Sequence, residues 1–208
     1  MAVSTQTWAV LAGAAVGGVI LGTAAFMFMG GDSGYAHCTG GQIAGGDIGG
    51  PFTLVDETGA TVTDADVITA PTLVYFGYTF CPDICPMDVQ RNGFALEELD
   101  DRGRDVNALF ITIDPARDDV EVVRDYTANF HERMIGLTGS DEQIAAAVRA
   151  YRAYAAKDTS GDPDYYLMNH STFTYLVTPK SGFVDFFNRD LTPEQVADRV
   201  ECFIDAGA

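Results

Sequence analysis

Tyr75-Phe76-Gly77-Tyr78-Thr79-Phe80-Cys81-Pro82-Asp83-Ile84-Cys85-Pro86 is an apolar run that ends in two cysteines at i and i+4, with a proline directly after the second. Together with Thr72 to Val74 before it, the run predicts a strand buried on both faces. Proline lacks an N–H and has a preset φ, so Pro86 suits the first residue of a helix and Cys85 its N-cap. A thiol there meets unpaired N–H groups and the positive end of the helix dipole, which favour thiolate over thiol. If the segment were helical, the two Cα atoms would lie about 6 Å apart, inside the range a disulfide tolerates. Two thiolates on one face also grip a soft metal ion. The stretch therefore reads as a buried strand delivering two reactive thiols to a helix N-terminus, with a structural disulfide as the plainer alternative.

Both flanks supply the rest of a mixed α/β domain. The helix after Cys85 is expected to run to about Asp101, with apolar Val89, Phe94, Leu96 and Leu99. Val106 to Ile113 reads as a second buried strand, closed by Asp114-Pro115. Asp118 and Glu121 have capping-box spacing and predict a helix ending by Met134. Ser140 and Gln143 repeat the signal before a helix through Ala156, and Thr192-Pro193-Glu194-Gln195 opens the last helix. Pro51 to Asp56 and Ala60 to Thr63, joined through Glu57-Thr58-Gly59, predict one hairpin. Thr172 to Thr178 and Gly182 to Phe187, joined through Pro179-Lys180-Ser181-Gly182, predict another. The order is hairpin, strand, helix, strand, helix, helix, hairpin, helix. Two thiols at the C-terminal end of a central strand make this a thioredoxin-like mixed sheet flanked by helices, with an added N-terminal hairpin.

The chain has 208 residues, with thirty acidic against twelve basic side chains and a formal charge of −18. That balance argues against nucleic acid, because phosphate contacts need clustered Lys and Arg. It fits a solvated acidic surface or one matched to a basic partner. Trp8 to Gly30 carries no charge and is long enough to cross a hydrocarbon core, so residues 1–30 read as a membrane anchor with an N-terminal transmembrane helix. A cleaved signal peptide is the alternative, since Gly34-Tyr35-Ala36 offers small residues for cleavage. Residues 31–50 are a Gly-rich tether, and 51–208 the folded domain. Four cysteines suit an oxidising compartment outside the cytosol. Cys38 and Cys202, left over from the CxxxC pair, either form a disulfide or stand as a tether thiol and a buried helix thiol.

The chain resembles the Sco/SenC family, the membrane-anchored copper proteins of cytochrome oxidase assembly. The residues that carry the likeness are Tyr75 to Pro86, then Phe110-Ile111-Thr112-Ile113-Asp114-Pro115 with Arg117-Asp118, then Met134-Ile135-Gly136-Leu137-Thr138-Gly139, then His170-Ser171 before the run containing Tyr175-Leu176-Val177. It covers the chain from about Pro51 to the C-terminus. The resemblance implies that Cys81, Cys85 and His170 bind one copper ion, and two thiolates with an imidazole form a soft set suited to Cu(I) that also accommodates Cu(II). His170 alone would read as a hydrogen-bonded core or loop histidine. The family commonly has Asp before this histidine, where this chain has Asn169, an amide that brings no charge to the ligand's surroundings. Asp83 matches the family and is a candidate to tune the thiols, or a solvated loop residue. Met87 and Met168 read as packing.

The implied function is a copper metallochaperone delivering copper to the binuclear copper A centre of cytochrome c oxidase. Its implied partners are the oxidase subunit that carries that site and other copper chaperones. Its implied location is the bacterial inner membrane, single-pass, with the domain facing the periplasm. A thiol-disulfide oxidoreductase that keeps the target's copper-ligand cysteines reduced is the alternative, with Cys81 and Cys85 as its catalytic redox pair. A copper or redox sensor is a third. Only the metal readings require His170.

Overall fold

A strand without solvent on either face needs a sheet neighbour on each edge and a layer on each side, and Thr72–Gly77 has all four. The computed structural model describes residues 35, 37–39, 48–160 and 165–208. The expected span Trp8 to Gly30 lies outside them. Among the described residues no helix is long and apolar enough to cross a membrane. The chain divides into two compact units after His37, and the second, Cys38–Ala208, contains all the helices and strands named next.

The elements run β1 (Thr53–Asp56), β2 (Thr61–Thr63), α1 (Asp64–Val67), β3 (Thr72–Gly77), α2 (Ile84–Asp101), β4 (Asn107–Thr112), α3 (Val120–Thr127), β5 (Met134–Thr138), α4 (Asp141–Ala150), β6 (Ala155–Lys157), β7 (Met168–His170), β8 (Thr174–Thr178), β9 (Gly182–Phe187) and α5 (Pro193–Asp205). Seven strands form one sheet in the order β2-β1-β5-β4-β3-β8-β9, and β6 and β7 form a separate two-stranded sheet. β3, β4 and β5 are parallel, whereas β8 and β1 run antiparallel at their two sides. Tyr75 points to α2, where its hydroxyl donates to Asp88 at 3.0 Å. On the opposite face the next residue, Phe76, meets the ring of Tyr151 just past α4, with centroids 5.2 Å apart. Helices thus cover both faces, in the α/β, thioredoxin-like arrangement that the order of elements predicts.

Local signals account for much of this. The β1–β2 turn closes on the Asp56 carboxylate, which accepts from the Thr58 N–H, the Thr58 hydroxyl and the Ala60 N–H. The capping boxes at Ser140/Gln143 and Thr192/Gln195 are both present, and Pro193 opens α5. The β8–β9 hairpin turns through residues 179–182 as expected.

Several boundaries differ from the sequence reading. α3 is capped by Asp119, not Asp118, and ends at Thr127, about two turns before Met134. Met134 to Thr138 instead form β5, with its Gly136 facing α3. A Cβ on that glycine would come within 2.9 Å of the Val123 carbonyl oxygen. α4 ends at Ala150 rather than Ala156, which leaves Ala155–Lys157 to pair with the segment carrying His170.

Asp118 is fully buried and accepts from the Thr79 N–H (2.9 Å), the Thr79 hydroxyl (2.5 Å) and the Thr112 hydroxyl (2.6 Å). Burial pushes its carboxyl above the usual range, with these donors opposing the shift. It ties the loop before Cys81 to the end of β4. Asp118→Ala strands a backbone N–H and two hydroxyls, so urea unfolding is expected to show a loss of roughly 1–3 kcal/mol.

Candidate metal centre

The loop between β3 and α2 brings the two thiols close without a disulfide: both cysteines are free, Cys81 half-buried and Cys85 buried. α2 begins at Ile84, after Asp83, so Cys85 lies inside the first turn and is not the N-cap. Its N–H, one of the donors that a helix start leaves unpaired, donates to the Cys81 sulfur at 3.3 Å. The helix terminus thus acts on the other thiol. Burial opposes ionisation of Cys81, but the N–H groups of Asp83 and Cys85, together with the Cys85 thiol and the Tyr78 hydroxyl, outweigh it and hold this thiol below its ordinary value. Burial pushes the Cys85 thiol well up, a hydrogen bond to the Tyr78 backbone opposes it, and Cys81 beside it adds to the rise. The expectation of a favoured thiolate at Cys85 is therefore corrected: the easier thiolate of the pair is Cys81.

Gly77 makes room for the buried sulfur. A Cβ there would lie 2.8 Å from Tyr75, 3.0 Å from Phe110 and 3.2 Å from Cys85 Sγ.

His170 arrives on β7, 85 residues further along the chain, and its Nε2 lies 3.3 Å from Cys85 Sγ. Its Nδ1 is 2.7 Å from the Ser171 carbonyl oxygen, which can only accept; this favours the tautomer with the proton on Nδ1, in which Nε2 keeps its lone pair. Burial lowers the imidazole's pKa, which also favours the neutral, ligating form. Tyr75 and Tyr78 pack edge-on against the ring, with centroids 6.2 and 5.9 Å away. The Cys81 and Cys85 sulfurs and a His170 ring nitrogen all lie within 4.8 Å of one another. Two sulfurs and an imidazole nitrogen with a free lone pair, on so short a base, fit one soft ion.

The neighbours of the site are partly as expected and partly not. Asn169 is exposed on the face of β7 opposite His170, so it does not support the imidazole. The buried carboxylate near the imidazole is Asp88, one turn after Cys85, which accepts from Tyr75. Its i+3 spacing from Cys85 is the signal in the sequence that marks it. Asp83 is exposed and makes no side-chain cap hydrogen bond. Met87 is exposed rather than packed. His131, outside the site, sits 3.4 Å from Asp100.

The pattern described as SCO1/SenC matches residues 40–205. The chain belongs to the SCO1/SenC family. It is 53% identical over 208 residues to protein SenC of Rhodobacter capsulatus, covering 99% of this chain and 94% of that protein. The mitochondrial SCO1 homolog 1 of Arabidopsis thaliana is 40% identical over 154 residues, 74% of this chain but only 46% of that longer protein. Among solved structures, Arabidopsis thaliana ScoI with copper bound superposes with a TM-score of 0.71 at 39% identity, covering 76% of this chain and 99% of that one. BsSco, described with a disulfide switch and as a member of the Sco family of cytochrome c oxidase assembly proteins, gives 0.58 at 25% identity, covering 73% and 90%.

Proposed function

We propose that the chain is a copper metallochaperone that delivers copper to the binuclear copper A centre of cytochrome c oxidase, with Cys81, Cys85 and His170 as the ligands of its cargo. The observation that carries this reading is the convergence of three soft donors from two separate elements within 4.8 Å. Two thiolates and a neutral imidazole suit Cu(I) and accommodate Cu(II), and a relative of the same fold holds copper. The partners are the oxidase subunit with the copper A site and the chaperones that supply copper. The uncharged stretch Trp8 to Gly30 anchors the chain in the bacterial inner membrane, and residues 31–50 tether the domain on its periplasmic side.

Copper titration of the full chain against a competing chelator is expected to reach one ion per chain, and Cys81→Ser to abolish tight binding. Stoichiometric binding without Cys81 would sink the assignment. Protease added to spheroplasts is expected to cleave the domain. Cleavage only after the inner membrane is breached would place the domain on the wrong side.

A second reading, thiol-disulfide exchange, is favoured by the asymmetry of the pair. Cys81, half-exposed and with its thiol pKa lowered, is suited to attack a target disulfide, releasing one target thiolate. Buried Cys85, once deprotonated, then attacks the Cys81 sulfur, releasing the second target thiolate and leaving a Cys81–Cys85 disulfide.

A further inference from the structure

His170 stands on the weakest support of the three proposed ligands. β6 and β7 pair only with each other, outside the seven-stranded sheet, and a lone two-stranded ribbon is marginal in water. Backbone hydrogen bonds therefore fix the ribbon's own register, while its seat over the cysteines depends on side chains from the body of the domain. One of these is Tyr78, whose hydroxyl meets the backbone of Met168, and Tyr75 packs against the imidazole itself. Another is Arg117, just beyond β4.

The Arg117 guanidinium lies flat against the segment leading into β7. Its Cζ is 3.7 Å from the centroid of Tyr166, and Nη1 donates to the Tyr166 carbonyl at 3.0 Å. Nε donates to Asp114 at 2.5 Å, and the Tyr166 hydroxyl donates to the other oxygen of that carboxylate at 2.7 Å. Lys157, on β6, sits 3.4 Å from the centroid of the Tyr166 ring. The same guanidinium is 4.6 Å from the ring of Phe80, the residue before Cys81. One side chain thus touches the ribbon that carries His170, the loop that carries Cys81 and the end of β4. A planar guanidinium can stack on rings while donating in its plane to a carbonyl and a carboxylate, which the lysine ammonium cannot.

From this geometry we infer that Arg117 is a positioning residue for His170: by pinning Tyr166 to Asp114 it seats the β6–β7 ribbon so that Nε2 faces the two sulfurs. The inference rests on the copper-site reading for its consequence, but the seating itself is a property of the metal-free chain. Loss of Arg117 leaves both cysteines in place and frees the imidazole.

The test is a double-mutant cycle on the full chain, with copper affinity measured by chelator competition and amide hydrogen exchange measured without metal. Arg117→Ala is expected to weaken copper about 10–100-fold, the usual effect of losing a residue that orients a ligand. In a His170→Ala background the same change is expected to cost little further, because the Cys81 loop keeps its ties to Asp118 through Thr79 and Arg117 acts chiefly through the imidazole. Without metal, amides over residues 166–171 should exchange faster in Arg117→Ala while those of β3 and β4 are unchanged. Arg117→Lys, which keeps the charge but not the planar fork, should recover only part of either readout. Equal loss of affinity in both backgrounds, or unaltered exchange in the ribbon, overturns the inference. If His170→Ala leaves copper affinity unchanged, the copper-site reading fails and exchange alone decides the seating. Should Arg117→Ala not fold, Arg117→Lys and Tyr166→Leu carry the same comparison.

Discussion

His170→Ala is expected to lower copper affinity by more than the roughly 10–100-fold that loss of an orienting neighbour costs, since it removes a ligand and not its support. Two thiolates remain, 4.8 Å or less apart, but the third donor is gone and the missing imidazole leaves a gap between Tyr75 and Tyr78 that water can enter. The same variant should still form and reduce a Cys81–Cys85 disulfide, because exchange needs only an accessible thiolate and a leaving sulfur. The donors that hold the Cys81 thiol down, the N–H groups of Asp83 and Cys85 with the Cys85 thiol and the Tyr78 hydroxyl, all remain when the imidazole is removed. Chelator competition and the thiol reduction potential, measured on the same preparations, separate the two activities. Unchanged copper affinity refutes the three-ligand site and favours the reductase reading. Asn169→Asp, in contrast, is expected to change little, since residue 169 faces solvent on the other side of β7.

Breaking the second cysteine pair should have its effect on stability and not on the site. Cys38 and Cys202 are joined by a disulfide with Cα atoms 5.6 Å apart, across 164 residues of sequence. Cross-linking so distant a pair restricts the unfolded chain, by roughly 5 kcal/mol on the chain-entropy model and by about 2–5 kcal/mol as usually measured. Cys202→Ser is therefore expected to lower the urea midpoint markedly without altering copper stoichiometry. Circular dichroism of the two proteins, with and without reductant, is the measurement. Reductant should bring the parent chain toward the variant and leave the variant unmoved. Peptide mapping of freshly isolated protein without reductant should recover Cys38 linked to Cys202, and recovery of both as free thiols would remove the prediction. The link fastens Cys38 to α5.

Where the information is local, the sequence alone decides the outcome. β3 and β4 are legible because their residues are apolar without alternation over runs too short for a buried helix, which leaves a strand covered on both faces. The two hairpins and the starts of α4 and α5 are legible because a turn or cap is made by residues within three or four positions of one another. The spacing of Cys81 and Cys85 announces paired thiols for the same reason. What depends on a distant partner is not readable this way. Met134 to Thr138 is a strand because β4 and β1 stand ready on either side and Gly136 lets α3 approach. Asp118 has the spacing of a helix cap, yet the hydroxyls of Thr79 and Thr112, 39 and 6 residues away, draw it into the core while Asp119 takes the cap. Which cysteine ionises first is set by burial and by where the N–H groups of the first turn of α2 point, and both favour Cys81. The residues around His170 do not say in sequence that its Nε2 faces Cys85. That follows from the Ser171 carbonyl holding Nδ1 and from a ribbon seated by Arg117, and contacts across 49 and 85 residues of sequence arise only once the sheet has formed.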